Sequence, residues 1–174
     1  MVKKEELIEK LPSKWADITL KQYISFRNLI EKLGGTDDFE KVYRNMLDIY
    51  FYVFTGVQLL DVEGFQQVDY FKVAERFNAF ENDESNKTAD IDENLIKSFD
   101  QIVFEDLLKY MNLQEQNSIS NWPEMINILL KEPITDIENT MTMAQANRFF
   151  FVLENQLTKY LEALETSLTK SLKR

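Results

Sequence analysis

The sequence predicts a mainly α protein, a helical bundle of about six helices with a long C-terminal helix. Apolar residues recur at three- and four-residue spacing over most of the chain, which is the period of one helix face. The 174 residues include four glycines and three prolines, too few for the many tight turns of a sandwich or a barrel. Thirteen phenylalanines and seven tyrosines supply the large side chains that a core must bury.

The first strong helix start lies at Ile18-Thr19. Thr19 followed three positions later by Gln22 predicts a capping box, in which each side chain bonds the backbone N–H of the other residue. Ile18 and Tyr23 occupy the two positions of a hydrophobic staple. We therefore expect a helix over Thr19–Leu33.

The middle of the chain predicts two more helices, which follow the helix-ending pair Gly34-Gly35. The segment Asp37–Thr55 carries an unusually wide apolar stripe, so burial on more than one side is expected. The segment Val68–Phe80 predicts the next helix. Its expected inward residues are Phe71, Ala74, Phe77 and Phe80.

Residues 81–94 form an acidic segment with six acids and one lysine, a net charge of −5. Such a composition is typical of an exposed linker. It divides the chain into an N-terminal helical unit, 1–80, and a C-terminal helical unit, 95–174, which contains the long terminal helix. The alternative is that both units share one core.

Residues 95–111 predict one helix or two abutting helices. A short strand near 99–104 is the alternative, because short apolar runs suit both structures. A further helix is expected over 122–130, since Pro123 fits a first helical turn and Pro133 cannot continue the helix.

The longest helix is predicted from Thr142 to about Leu172, where Thr142 and Gln145 repeat the capping box. Thirty helical residues span roughly 45 Å. The second half of this segment narrows to a line of leucines, which is typical of contact with one other helix. That helix could belong to the same chain or to a partner. The candidate partner-contact residues on the line are Leu157, Leu161, Leu164, Leu168 and Leu172.

Trp15 is a further candidate partner-contact residue, because tryptophan is enriched at the centres of protein interfaces. It follows Pro12 and precedes the first capping box by four residues. The alternative interpretation is structural: the ring folds back over the end of the bundle as a lid. Burial of a large apolar ring favours the lid.

The composition restricts the chemistry that the chain can perform. Cysteine and histidine are both absent, which excludes disulfides, thiolate nucleophiles and thiolate metal sites and leaves no imidazole proton shuttle. Glycine-rich phosphate loops, nucleophile elbows and zinc-protease motifs are missing. We expect no enzyme activity, catalytic residue, cofactor or metal.

The net charge of −10 disfavours direct binding to nucleic acid or to an anionic membrane, and no segment is apolar enough for a membrane span.

The pattern Pro-x-x-Trp-x-x-Ile-Thr-x-x-Gln-Tyr over residues 12–23, followed by "IYFYVFTGV" at 49–57, resembles small bacteriophage morphogenesis proteins of the tail-assembly chaperone and baseplate-assembly type. The likeness lies mainly in residues 11–60, and "NWPEMINILL" at 121–130 is similar to a second helical unit of such proteins. The resemblance implies a binding protein without catalytic residues. The resemblance does not extend to the acidic segment or to the long terminal helix.

The leading hypothesis is therefore a non-enzymatic bacteriophage assembly or virion structural protein that binds other phage proteins of the tail, baseplate or connector. Its expected location is the host cytoplasm, with retention in the virion and homo-oligomerisation left open. An alternative is an acidic inhibitor or nucleic-acid mimic that binds a host protein. A small carboxylate enzyme is a third hypothesis, and it requires a buried pair of acids.

Overall fold

The computed structural model describes residues 3–33, 38–84 and 89–172, with the side chains of the last helix described through Tyr160 and at Glu162. The predicted mainly α fold is confirmed: the described residues contain eight helices and no strand. Two of these helices, α1 and α7, are short additions to the expected six. The helices are α1 Lys4–Glu9, α2 Leu20–Glu31, α3 Phe39–Thr55, α4 Gln67–Glu81, α5 Phe104–Glu115, α6 Trp122–Leu129, α7 Ile137–Thr140 and α8 Met143–Leu172.

Both predicted capping boxes are present. The Thr19 hydroxyl accepts from the Gln22 backbone N–H at 3.3 Å, and the Gln22 side chain accepts from the Thr19 N–H at 2.9 Å. The corresponding distances at Thr142 and Gln145 are 3.2 and 3.0 Å. Each box satisfies two of the backbone donors that a helix start leaves without an intrahelical partner.

The two capped helix starts also pair with each other. Thr19 and Thr142 form an isolated antiparallel bridge. The Leu20 N–H donates to the Met141 carbonyl at 2.8 Å, and the Met143 N–H donates to the Ile18 carbonyl at 3.0 Å. The first helical N–H of α2 and of α8 is therefore satisfied by the segment that leads into the other helix.

The centre of the core is a cluster of aromatic rings from α2, α3 and α4. Phe26 contacts Tyr50 and Phe80 edge-on, with ring centroids 6.2 and 5.9 Å apart, and Tyr50 contacts Phe77 at 5.3 Å. The Tyr50 hydroxyl donates to the Pro12 carbonyl, and burial raises the pKa of Tyr50. That bond ties the segment before α2 to the middle of α3.

Buried residues from both predicted units belong to one core cluster. Leu20, Phe26 and Tyr50 come from the first unit, and Ile126 and Phe149 come from the second. Both units thus share one core, while the division at 81–94 stays a prediction. Within that segment Asp83 accepts a 2.6 Å hydrogen bond from the Trp15 backbone N–H, and residues 85–88 lie outside the described part of the chain.

The prediction of one helix or two abutting helices over 95–111 is wrong in its first half, and the alternative strand is not found there. Residues 93–95 and 99–101 form short 3-10 turns, and α5 begins only at Phe104. The reason is a second isolated bridge, Ile96 with Leu130, where the Lys97 N–H donates to the Leu129 carbonyl and the Lys131 N–H donates to the Leu95 carbonyl. These bonds hold Ile96 in extended backbone, which does not continue a helix.

The predicted inward face of α4 is also partly wrong. Phe71 is 65% exposed, whereas Val73, Phe77 and Phe80 are buried. The inward face begins with Asp69, which is 2% exposed and bonds the Lys4 ammonium at 2.8 Å. A pattern of apolar residues does not register a charged residue that faces the core. The apolar spacing in α4 therefore predicts an inward face on a neighbouring side of the helix.

The ends of two predicted helices differ from the sequence boundaries by a few residues. Helix α2 ends at Glu31 and α3 begins at Phe39, where the Asp38 side chain accepts from the Lys41 N–H. The predicted stop at Gly34-Gly35 and the predicted start at Asp37 lie outside the described residues.

The paired helix starts predict coupled stability effects. We expect Thr19→Ala and Thr142→Ala each to lower the free energy of unfolding by about 1 kcal/mol, because each removes a cap. The double variant should lose less than the sum, since either loss already weakens the shared bridge. Urea unfolding of the four proteins measures the coupling. Thr158→Ala is the control, because the Thr158 hydroxyl donates only to the Glu154 carbonyl of its own helix; strict additivity would contradict the pairing.

Asp69 predicts a stability loss in acid. The Lys4 ammonium and then the Gln66 N–H, which both donate to the carboxylate, lower its pKa below the ordinary value of 3.8. A depressed folded-state pKa contributes stability above the unfolded pKa, and this contribution disappears as pH falls through the folded value. Asp69→Asn should therefore be less stable than the natural protein near neutral pH.

The difference should shrink as pH falls below 3.8 and vanish once pH lies below the depressed folded-state pKa of Asp69. Urea midpoints measured across this range, with the exposed Asp61→Asn as a control, test the expectation. A gap between Asp69→Asn and the natural protein that does not depend on pH would contradict it.

Candidate functional site

Trp15 lies in a 3-10 turn, Trp15–Asp17, at the edge of the core. Its ring is half-buried and lies 6.0 Å from the Tyr23 ring. The indole Nε1 is buried and has no hydrogen-bond partner among the described residues. This geometry supports the lid interpretation, since the polar atom that an interface tryptophan would offer to a partner faces inward. A contact between Trp15 and a partner stays a prediction.

Burial decreases along α8. Val152 is buried and Leu153 is half-buried, whereas Leu157 is 38% exposed. Tyr160 stacks on Phe99 with ring centroids 4.4 Å apart, which links the outer half of α8 to the turn before α5. The side chains of the other predicted contact residues, Leu161, Leu164, Leu168 and Leu172, lie outside the described side chains, although the helix backbone continues to Leu172.

Helix α5 carries an exposed apolar face that the sequence analysis did not predict. Phe104, Leu108 and Met111 are 74%, 45% and 47% exposed. They are spaced four and three residues apart on α5, so they line one side of that helix. We call these three residues the α5 stripe. A contiguous apolar patch differs from single exposed residues, because patches of this kind mark interaction surfaces.

The opposite side of α5 faces the bundle, but no α5 residue is fully buried. Half-buried Leu107, Tyr110 and Leu113 form that inner side. Periodicity alone could not separate the two sides, because both are apolar. Only the packing of α5 against α6 decides which side is exposed.

Polar contacts hold α5 in place. The Lys97 ammonium lies 2.8 Å from Asp106 and donates to the Ile128 carbonyl at 2.7 Å. Lys109 lies 2.8 Å from Glu124 of α6, and this carboxylate raises the pKa of Lys109. At the other end, Asn121 donates to the Leu113 carbonyl at 3.0 Å. The position of the α5 stripe is therefore set by groups that are not part of the stripe.

The surroundings of the α5 stripe are acidic. Residues 89–116 contain seven acids and two lysines, a net charge of −5. Both lysines are engaged in the ion pairs with Asp106 and Glu124. Glu105 and Glu115 are exposed and have no ion-pair partner among the described residues. Glu115 lies one turn beyond Met111 on the same side of α5, so the α5 stripe ends next to a negatively charged side chain.

The acids elsewhere in the described residues do not form a buried pair. Asp69 is the one buried acid there, and it bonds Lys4. Burial raises the pKa of Asp48 and of Glu81, and a nearby arginine opposes the shift in each case. A surface groove of about 510 Å³ between α1 and α4 is lined by exposed glutamates together with Lys72 and Arg76. The arrangement that a carboxylate enzyme requires is therefore not found among these residues.

The described part of the chain contains no group of three or more acids arranged to hold a metal ion. None of its helices combines the length and the apolar character that crossing a membrane requires.

Comparison with known proteins adds no relative: no family model, curated protein or solved structure matches the chain.

The lid geometry of Trp15 predicts a graded loss of stability. Trp15→Ala should lower the free energy of unfolding by about 1–2 kcal/mol, because the contact with Tyr23 and the covered core area are lost. Trp15→Phe should cost less, since it keeps a ring and removes an N–H that has no acceptor among the described residues. Urea unfolding with tyrosine fluorescence or circular dichroism measures both. Unchanged stability in Trp15→Ala would contradict the lid and favour a partner contact.

Proposed function

We propose that this protein is a non-enzymatic bacteriophage assembly or virion structural protein that acts by binding other phage proteins of the tail, baseplate or connector. The observation that carries the proposal is the α5 stripe, an exposed apolar face on a helix that polar contacts hold in place. The resemblance over residues 11–60 to morphogenesis proteins supplies the class of partner. The expected location is the host cytoplasm during assembly, followed by retention in the particle for a virion component.

The α5 stripe is the surface at which one copy meets the next component of the assembly. Its three side chains already lie on a helix, so no free energy of binding is lost to folding that segment. Burying them would remove apolar surface from water, which is the main driving force of association. The ion pairs behind the stripe, Lys97 with Asp106 and Lys109 with Glu124, keep its position independent of the partner.

An acidic inhibitor that binds a host protein is the second candidate, and the net charge of −5 over residues 89–116 is the observation that favours it. The two functions differ in the partner. The proposed function requires a virion protein encoded by the same phage genome, whereas the inhibitor requires a host protein and no particle component.

Co-purification with defined partners tests the proposal. Tagged protein is co-expressed with each tail, baseplate and connector protein of the same phage, and the retained partner is identified by mass spectrometry. We expect retention of at least one of them. Leu108→Gln/Met111→Gln should reduce recovery at least tenfold, because a tenfold change corresponds to about 1.4 kcal/mol, less than full burial of two such side chains contributes.

The matched control is Val68→Gln/Phe71→Gln, which alters two other exposed apolar residues on α4 and should leave recovery unchanged. Both double variants should retain the natural unfolding temperature, since exposed substitutions usually change stability by less than about 0.5 kcal/mol. Failure of the natural protein to retain any particle protein would overturn the proposed function.

A further inference from the structure

An apolar groove of about 340 Å³ lies beside the start of α8. It is lined by residues of the segment 90–96, of the connection 130–141 and of the first turns of α8. Three of its lining residues, Ile96, Leu130 and Phe149, are buried members of the core. We call it the α8 groove. None of the described α5 residues lines it, so the α8 groove and the α5 stripe have no residue in common.

Polar contacts hold the segment 90–96 in place along the α8 groove. The Gln145 side chain donates to the Asp90 carbonyl at 3.2 Å, which ties the start of the segment to α8. The Glu93 carboxylate lies 3.5 Å from the Arg148 guanidinium. The bridge between residues 96 and 130 ties the end of the segment to the connection after α6. The groove is therefore formed in the free protein, and no free energy of binding is lost to folding it.

The α8 groove leaves apolar side chains in contact with water. Ile91, Ile134 and Met141 pack against the core but are only half-buried, and Leu95 is 45% exposed. Covering these side chains would remove apolar surface from water, which favours association. The groove volume is close to the lower limit of pockets for drug-sized ligands, ~300 Å³. It therefore suits a small apolar group, such as an aliphatic side chain.

The charged side chains that line the α8 groove are both negative. Asp90 and Asp92 are exposed, and neither has an ion-pair partner among the described residues. The stretches that form the groove, 89–96 and 130–149, contain six acids and two basic residues, a net charge of −4. The groove between α1 and α4 differs, because its lining contains both signs of charge. An apolar occupant without a cation would cover the two carboxylates and leave them without a partner, which is costly.

We propose that the α8 groove binds a basic amphipathic segment of another protein, in which an aliphatic side chain is flanked by lysine or arginine. The aliphatic side chain enters the groove beside Leu95, and a flanking cation pairs with Asp90 or Asp92. This inference goes beyond the proposed function, because it assigns a second docking surface and the chemistry of its occupant. It requires no partner at the α5 stripe.

Synthetic peptides test the α8 groove in the full chain. The probe is a dye-labelled peptide with two central leucines between two pairs of lysines, and fluorescence anisotropy measures its Kd. Replacing the leucines by serines should weaken binding at least tenfold, and so should replacing the lysines by glutamates, because the groove selects for both properties. Equal binding of the serine peptide would overturn the proposal, since net charge alone would then account for the attraction.

Two variants of the protein locate the binding. Asp90→Asn/Asp92→Asn should bind the probe at least tenfold more weakly, because it removes both negative charges. It keeps a side-chain oxygen at position 92, where the carboxylate accepts from the Asn94 N–H. Leu95→Gln should weaken binding at least threefold, because an exposed apolar contact is lost. Both variants should retain the natural unfolding temperature, since exposed substitutions usually change stability by less than about 0.5 kcal/mol.

The matched controls alter a second 3-10 turn with an exposed leucine, residues 59–61. Leu60→Gln and Asp61→Asn/Glu63→Gln should bind the probe like the natural protein. The α5 variant Leu108→Gln/Met111→Gln should also bind it normally, so a failure at one surface is distinguished from a failure at the other. Absence of binding to the natural protein would overturn the proposal. So would groove variants that bind normally, or controls that lose as much affinity as the groove variants.

Discussion

The fold depends on the pairing of two helix starts that lie far apart in the sequence. Ile18 and Met141 each offer a carbonyl to the first helical N–H of the other segment. A helix start leaves four donors without an intrahelical partner, and burying them unpaired would be costly. Here the capping boxes satisfy two donors at each start and the bridge satisfies another. Because the bridge fixes where α2 and α8 begin, it also sets which of their residues, such as Phe26 and Phe149, enter the shared core.

Helix α5 is held differently from α2 and α8, because surface polar contacts and not buried residues keep it in place. It contributes no fully buried residue, and ion pairs and a backbone contact from Asn121 hold it against α6. A helix attached in this way can keep apolar residues on its outer side without loss of the fold. The α5 stripe is therefore an exposed apolar surface on a helix whose position the surrounding polar contacts fix.

Much of the fold could be predicted, because its strongest elements have local causes. The capping boxes at Thr19 and Thr142 are encoded in four-residue patterns, and the structure contains both. The candidate site was predicted less well. The spacing of the α8 leucines predicts their line, whereas the spacing within 95–111 predicts only helix and does not single out the α5 stripe, since an apolar period indicates a face and not what covers it. Phe71 was misplaced for a related reason: the buried neighbour that fixes the face of α4 is the charged residue Asp69.

The sequence by itself determined the mainly α class, the two helix starts, the supply of large aromatic side chains and the acidic character of residues 81–94, because each follows from residue type and short-range spacing. Only the tertiary structure decided that Thr19 and Thr142 pair, that Ile96 and Leu130 interrupt the expected helix, and that Phe104, Leu108 and Met111 face outward. These features depend on backbone hydrogen bonds and packing between segments distant in sequence. Such contacts arise from the complete arrangement of helices, and no local pattern encodes them.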